Sequence, residues 1–372
     1  MSVFISIVAF LFIFSLLILI HEFGHFYAAR KCGVKVEEFG LGLPPRAKGL
    51  WKDKKGTLFS LNWIPFGGFV RMYGEDSNDD SLRGKEGSFS SKSIPQRTII
   101  ILGGVIMNFL LGYVLLVYLM TSGAGPFVLS QEDLMEYKDS GVLVTEDLVL
   151  IKSFTDTSMA DEEGMMVGDF LVMVDGNKVS TSKEVIETVQ QKVSQTVLVE
   201  VLRGEEVVDL ELSVSDKGTL GIEIGDYPEI LEINPIPLQE SVVLAARDTA
   251  RLSWYTMKMF GNVLFTLVTS ASVSDQVSGP VGIAQLTHQA AQKGFDDLIR
   301  LIVLLSISLG AINVLPIPAL DGGRFISIFF EAVTGKRPNS EWEARIHAFG
   351  FLLLISLIFV ITYKDIMRLI WG

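Results

Sequence analysis

Cysteine is almost missing from this sequence: Cys32 stands alone among 372 residues. No intrachain disulfide and no cysteine-based zinc site can form, and Cys32, seven residues beyond His25, reads as a small buried apolar residue. Histidine is scarce too, with four in all, so a histidine metal site must draw on His21, His25, His288 and His347. Charge and proline are both absent from residues 3–20, VFISIVAFLFIFSLLILI. A bilayer span needs about 20 apolar residues, and this run supplies them. It also lacks a basic residue ahead of it and a small-x-small motif after it, which argues against a cleaved signal peptide.

With 49% hydrophobic residues the chain is too apolar for an ordinary soluble protein, yet its 20% charged residues require a wet portion. The net charge of −12 is unevenly spread. Residues 131–236 hold 24 Asp or Glu against 7 Lys or Arg, a local −17 that leaves +5 for the remainder. Binding of that acidic segment to nucleic acid is excluded by its sign. Residues 30–97 hold 13 Lys or Arg against 8 Asp or Glu, so the positive-inside rule puts them in the cytoplasm and the N-terminus outside.

The chain then divides as follows. A first span covers 1–30. A β-region over 31–97 has β-prone runs at Val36 to Leu41, Thr57 to Trp63 and Gly68 to Tyr73, separated by Pro44-Pro45, Pro65 and Gly67-Gly68. A free edge of such a sheet could take up extended peptide by strand addition. A second span over 98–121 carries Gly103, Gly104 and Asn108, small and polar residues that suit tight helix packing and an interhelical hydrogen bond. The acidic segment, 126–226, alternates strands with an amphipathic helix near Ser182 to Val193. Residues 227–297 form a linker and interfacial or packed helices. Their longest apolar run, Phe260 to Val268, has only nine residues and contains Asn262, so it is too short to cross. A third span, 298–323, ends at Asp321-Gly322-Gly323. A fourth covers 346–364, beyond about 20 residues read as a loop.

His21-Glu22-Phe23-Gly24-His25 lies at the foot of the first span. Residues i and i+4 share a helix face, so both imidazoles can reach one metal with Glu22 beside them as general base. A catalytic zinc needs a third protein ligand and an open position. His288 falls in a polar stretch assigned to the outside and His347 on the far side of the loop, which leaves Asp321, an acid at membrane depth on the correct side. The metal would polarise a scissile carbonyl and lower the pKa of water toward about 7, while Glu22 moves the proton to the leaving amine. HExxH alone arises by chance and Asp-Gly-Gly alone is a turn. Their placement on one side of two spans is what joins them. A zinc-holding adaptor without activity, or a metal transporter, would carry the same ligands; the transporter would want acids or histidines on several spans.

The HEFGH motif, Gly67-Gly68-Phe69-Val70-Arg71-Met72 with Gly74-Glu75, Gly104 with Asn108, Ser278 through Ala284, and Asn313 through Gly323 resemble the site-2 protease family, most closely its regulator-of-sigma-E protease branch. The resemblance implies a polytopic α-helical membrane protein with four transmembrane helices, a membrane-associated β-region and one extracytoplasmic PDZ domain of α+β type. One catalytic Zn2+ is implied, held by His21, His25 and Asp321, with Glu22 catalytic. Asn313 and the β-region residues Gly67, Gly68 and Phe69 would hold substrate. Implied partners are the lipid bilayer and single-pass membrane proteins, namely anti-sigma factors after an outer cut or remnant signal peptides. Peptide termini at the PDZ groove are a further implied partner, the alternative being a domain that only excludes by size. The implied location is a bacterial inner membrane, with the site near the cytoplasmic face. The chain has room for one PDZ module where the best-known members of that branch have two.

Overall fold

In the computed structural model the described residues are 3–75, 85–155, 160–204, 206–270 and 278–371. The parts of the β-region, acidic-segment and linker readings that fall on 76–84, 156–159, 205 and 271–277 lie outside them. The chain separates into two compact units, Met1–Pro126 with Pro237–Gly372, and Phe127–Ile236.

The first unit starts with α1 (Val3–Lys31), followed by β1 (Val36–Lys52), β2 (Leu58–Met72) and α2 (Ile94–Ser122). Ser93 opens α2 with a capping box closed by Gln96, and Pro95 sits in the first turn where its missing N–H costs nothing. Among the described residues four helices are long and apolar enough to span: Val8–Lys31, Ile94–Ser122, Phe295–Val314 and Glu341–Trp371. α2 is central, with α1 on one flank and α7 (Phe295–Val314) on another. α1 and α2 approach until backbones touch: a Cβ on Gly24 would collide with the Gly103 carbonyl, and one on Gly103 would lie 2.7 Å from Gly24 O. This is the small-residue contact that replaces hydrophobic driving force between helices in lipid.

The β-region differs from the three short runs expected. Prolines 44, 45 and 65 do not end strands; β1 and β2 run through them and bend. Residues 68–72 pair with 36–41, these with 58–61, and 58–62 in turn with 46–52, giving four antiparallel segments from two strands. Prolines are tolerated where the ladder is interrupted, and the register shifts that run along β1 include those at Leu41/Leu43, Leu43/Arg46 and Arg46/Lys48, around Pro44 and Pro45. Gly67, at φ +76°, makes the turn that starts the last segment.

After residue 237 come α5 (Leu238–Ser270), α6 (Pro280–Lys293), α7, α8 (Asp321–Thr334) and α9 (Ser340–Trp371). α5 is a single 33-residue helix outside the four candidate spans, packed on α7 and α2 through Ala245, Asp248, Leu252 and Thr256. Two features correct the expected course near Asp321. α7 stops at Val314, and the stretch expected to be a loop is helix α8, closed by Gly335 in the left-handed region. Gly322 and Gly323 make that turn possible, since a Cβ on either would strike the Leu315 or Ile317 carbonyl.

The second unit holds α3 (Gln131–Asp139), β3 (Leu143–Phe154), β4 (Phe170–Val174), β5 (Asn177–Lys178), α4 (Ser182–Gln190), β6 (Thr196–Arg203), β7 (Glu206–Ser213) and β8 (Ile222–Ile233). The sheet is antiparallel in the order β7-β6-β4-β3-β8, with β5 on β4. Its core is Val149, Ile151, Leu171, Val174, Val185, Val189, Val199 and Leu212 with their neighbours, all buried. The Asp226 carboxylate on β8 accepts from Ser182 N and Oγ at 2.6 Å, fastening the start of α4 to the strand.

Candidate metal centre

His21 and His25 stand one turn apart on α1, 8% exposed each. Asp321 is the first residue of α8. The three offer donor atoms at the corners of a small triangle: His21 Nε2 to His25 Nε2 3.2 Å, His21 Nε2 to Asp321 Oδ2 3.1 Å, His25 Nε2 to Asp321 Oδ2 3.3 Å. Donors on a tetrahedral zinc with bonds of about 2.0–2.1 Å are about 3.3 Å apart, so the triangle has the dimensions of such a site.

The protonation pattern points the same way. His25 Nδ1–H donates to the Ile100 carbonyl at 2.9 Å, so its Nε2 carries a lone pair. Asp321 Oδ2 is buried and, among the described residues, has no hydrogen-bond partner apart from the two imidazole nitrogens it faces. Lone pairs converging on one buried point repel unless a cation lies between them. The residues therefore fit zinc.

Backbone closes round the ligands. A Cβ on Gly104 would lie 2.5 Å from His25 Nε2 and 2.8 Å from His21 Nε2, inside the volume an ion needs. The other side is occupied by Glu22, whose Oε2 accepts from Val70 N at 3.0 Å. Val70 belongs to segment 68–72, which has no strand partner on that edge among the described residues. Glu22 thus sits between the donor triangle and an open strand edge.

The remaining sequence candidates fall around this core. Gly67 and Gly68 face Ile18 and Leu19 of α1, the turn before His21, and Phe69 pairs with Gly40. Asn313 is in the last turn of α7 and half-buried, with no hydrogen bond to the cluster among the described residues. His288 is on α6 beside Gln292, and His347 Nδ1 accepts from Ala319 N at 2.9 Å; neither joins the triangle. Asn108 makes the interhelical bond expected of it, to His21.

Sequence reasoning missed the contributions of Ile100 and Val70, because a main-chain carbonyl or amide carries no signature in residue type. It also missed the ties that hold α8. Arg97 of α2 pairs with Glu331 at 2.8 Å, Glu331 also takes Arg337 at 3.0 Å, and Arg324 pairs with Glu75 at the end of the sheet. These line a polar cavity of about 360 Å³ with Ser327, Glu343 and His347. Charges recurring at 324 and 331 around Ser327 and Ile328 were the available signal for this helix.

Spanning helices, a two-histidine-one-carboxylate donor set and an adjacent glutamate define a membrane-embedded metal-dependent hydrolase. Comparison with known proteins agrees. The family model described as peptidase family M50 matches residues 9–357. A relative from Fusobacterium nucleatum, named among the zinc metalloproteases, is 32% identical, with 95% of this chain and 96% of that one covered. The regulator of sigma-W protease RasP of Bacillus subtilis is 28% identical, with 98% and 99% covered. A solved PDZ domain of an SdrC-like protein from Listeria monocytogenes matches 22% of this chain and 90% of its own at 29% identity, with a TM-score of 0.20. The chain belongs to peptidase family M50, the site-2 proteases, and is a zinc metalloprotease.

Proposed function

We propose that this protease cleaves the transmembrane segments of single-pass membrane proteins, such as anti-sigma factors after a first outer cut or remnant signal peptides. His21, His25 and Asp321 hold the ion, and Glu22 is the general base. Bound zinc supplies Lewis acidity, polarising a carbonyl and acidifying water. Glu22 would act as the base, taking a proton from the attacking water and delivering it to the leaving amine. The supporting observation is the position of Glu22, which touches both the neighbourhood of the donor triangle and the unpaired edge of segment 68–72.

Substrate must arrive extended, since helical peptide groups are hidden in i to i+4 hydrogen bonds. The free edge offers a ladder for it, with Gly67, Gly68 and Phe69 beside it and Asn313 steadying the strand from α7. The charge bias of residues 30–97 supports a cytoplasmic position for the site, with the N-terminus and residues 126–226 outside a bacterial inner membrane. In this reading 126–226 is a PDZ domain that takes peptide termini in the groove between β8 and α4 or limits access by size.

The test is purified protein in lipid with a membrane-inserted substrate segment, with and without chelator, alongside Glu22→Gln. Cleavage abolished by chelator and by Glu22→Gln, with zinc content unchanged in the variant, supports the reading. No cleavage by the unsubstituted protein with zinc bound would instead favour a zinc-bearing adaptor, and full cleavage by Glu22→Gln would remove Glu22 as the base.

A further inference from the structure

α2 stands behind both imidazoles, and positions 100, 104 and 108 are successive turns of one face. Ile100 gives its carbonyl to His25 Nδ1 and Gly104 clears space for the ligand atoms. The residue facing His21 is Asn108, fully buried, with Nδ2 3.2 Å from His21 Nδ1. Its Oδ1 is buried and, among the described residues, without a hydrogen-bond partner. The Asn108 backbone is also fixed from α7, where the buried Ser306 hydroxyl donates to its carbonyl at 2.8 Å.

His21 Nε2 points at the same spot as His25 Nε2 and Asp321 Oδ2. To offer a lone pair there, neutral His21 must carry its proton on Nδ1. Nδ1–H then needs an acceptor. An amide NH2 cannot be one, while the orphaned Oδ1 can, and a half-turn of the carboxamide exchanges the two atoms. The exchange satisfies both groups at once.

We propose that Asn108 is a positioning residue for the metal centre: its Oδ1 accepts the Nδ1 proton of His21, which fixes the tautomer and ring plane that aim Nε2 at the ion. α2 thereby supplies one acceptor per histidine, a main-chain carbonyl for His25 and a carboxamide for His21. Outer partners of this kind typically govern metal affinity by about 10- to 100-fold. The proposal rests on His21 being a ligand.

The experiment uses the full chain in detergent and two substitutions, Asn108→Leu and Asn108→Asp. Zinc retention is measured against a graded chelator series, and the visible spectrum of the cobalt-substituted protein reports ligand geometry. Asn108→Leu, which keeps the volume but offers no acceptor, is expected to release zinc about 10- to 100-fold more readily and to alter the cobalt spectrum. Asn108→Asp, which keeps an acceptor in place, is expected to retain zinc at least as tightly as the unsubstituted protein. If Asn108→Leu holds zinc normally with an unchanged spectrum, Asn108 is only a helix–helix contact and the proposal fails. If Asn108→Asp loses zinc, the amide donates rather than accepts, and the proposal fails equally; should the leucine variant not fold, Asn108→Ala, which also removes the acceptor, takes its place with the same expected outcomes. Normal zinc retention by His21→Ala would remove the ligand assignment itself, a distinct failure.

Discussion

Gly104 sets the tolerance at the metal centre. One added methyl would stand 2.5 Å from His25 Nε2 and 2.8 Å from His21 Nε2, with helix backbone behind it that cannot retreat. Gly104→Ala is therefore expected to abolish zinc binding while helix content by circular dichroism is unchanged; metal analysis of the purified variant checks this, and stoichiometric zinc would refute it. Glu22 behaves differently. Glu22→Gln keeps shape and the capacity to accept from Val70, and removes only the base. Hydrolysis is expected to fall by about 100- to 10,000-fold with zinc retained, measured by substrate turnover and metal content on one preparation.

Among elements, α8 is the one the sequence hid best. The meeting of His21, His25 and Asp321 was legible because two recognisable motifs fell on the same side of two spans. The helix that starts at Asp321 was not, because Asp321-Gly322-Gly323 read as a turn leading into a loop. The sheet was obscured for a similar reason: Pro44, Pro45 and Pro65 suggested strand ends, whereas interrupted pairing lets β1 and β2 pass through them. What holds α8 is the Glu331 carboxylate between Arg97 and Arg337. Burial raises the Glu331 pKa while the two guanidiniums lower it, and the guanidiniums prevail. Removing the carboxylate leaves Arg97 buried and unpaired, a loss of about 3–5 kcal/mol where a pair is fully buried and less here because Glu331 keeps partial solvent access. Glu331→Gln is expected to lower the thermal midpoint and to loosen zinc through displacement of Asp321. An unchanged midpoint would show that α8 is held by its apolar face instead. On the substrate side, Leu or Ala replacing helix-breaking residues in the cleaved segment is expected to slow cleavage, since the helix must unwind first; equal rates across such a series would refute the unwinding step.

For the whole molecule, the division into two units has a pH consequence. In the Phe127–Ile236 unit the Asp169 carboxylate is pushed up by burial but held below the ordinary carboxyl value by Arg203 and the Met166 amide. Asp226 is lowered by its hydrogen bonds from Ser182. A carboxyl with a depressed folded pKa stabilises the fold above its unfolded pKa and loses that contribution as pH falls through the folded value. Acid loss of structure in this unit should therefore begin below about pH 4 and be blunted by Asp169→Asn, which is already weakened at neutral pH; sensitivity of residues 127–236 to pepsin, which is active in acid, is the measurement. A unit whose sensitivity is flat down to about pH 2 would refute it.

The meeting of Gly24 with Gly103 also decides the direction of traffic. With those two main chains in contact beside His25, nothing as wide as a polypeptide fits between α1 and α2 there, which supports the proposed approach of substrate along the edge that holds Val70. Crosslinkers placed at Val70 should capture a client protein, and crosslinkers placed on the Gly103 flank should capture none.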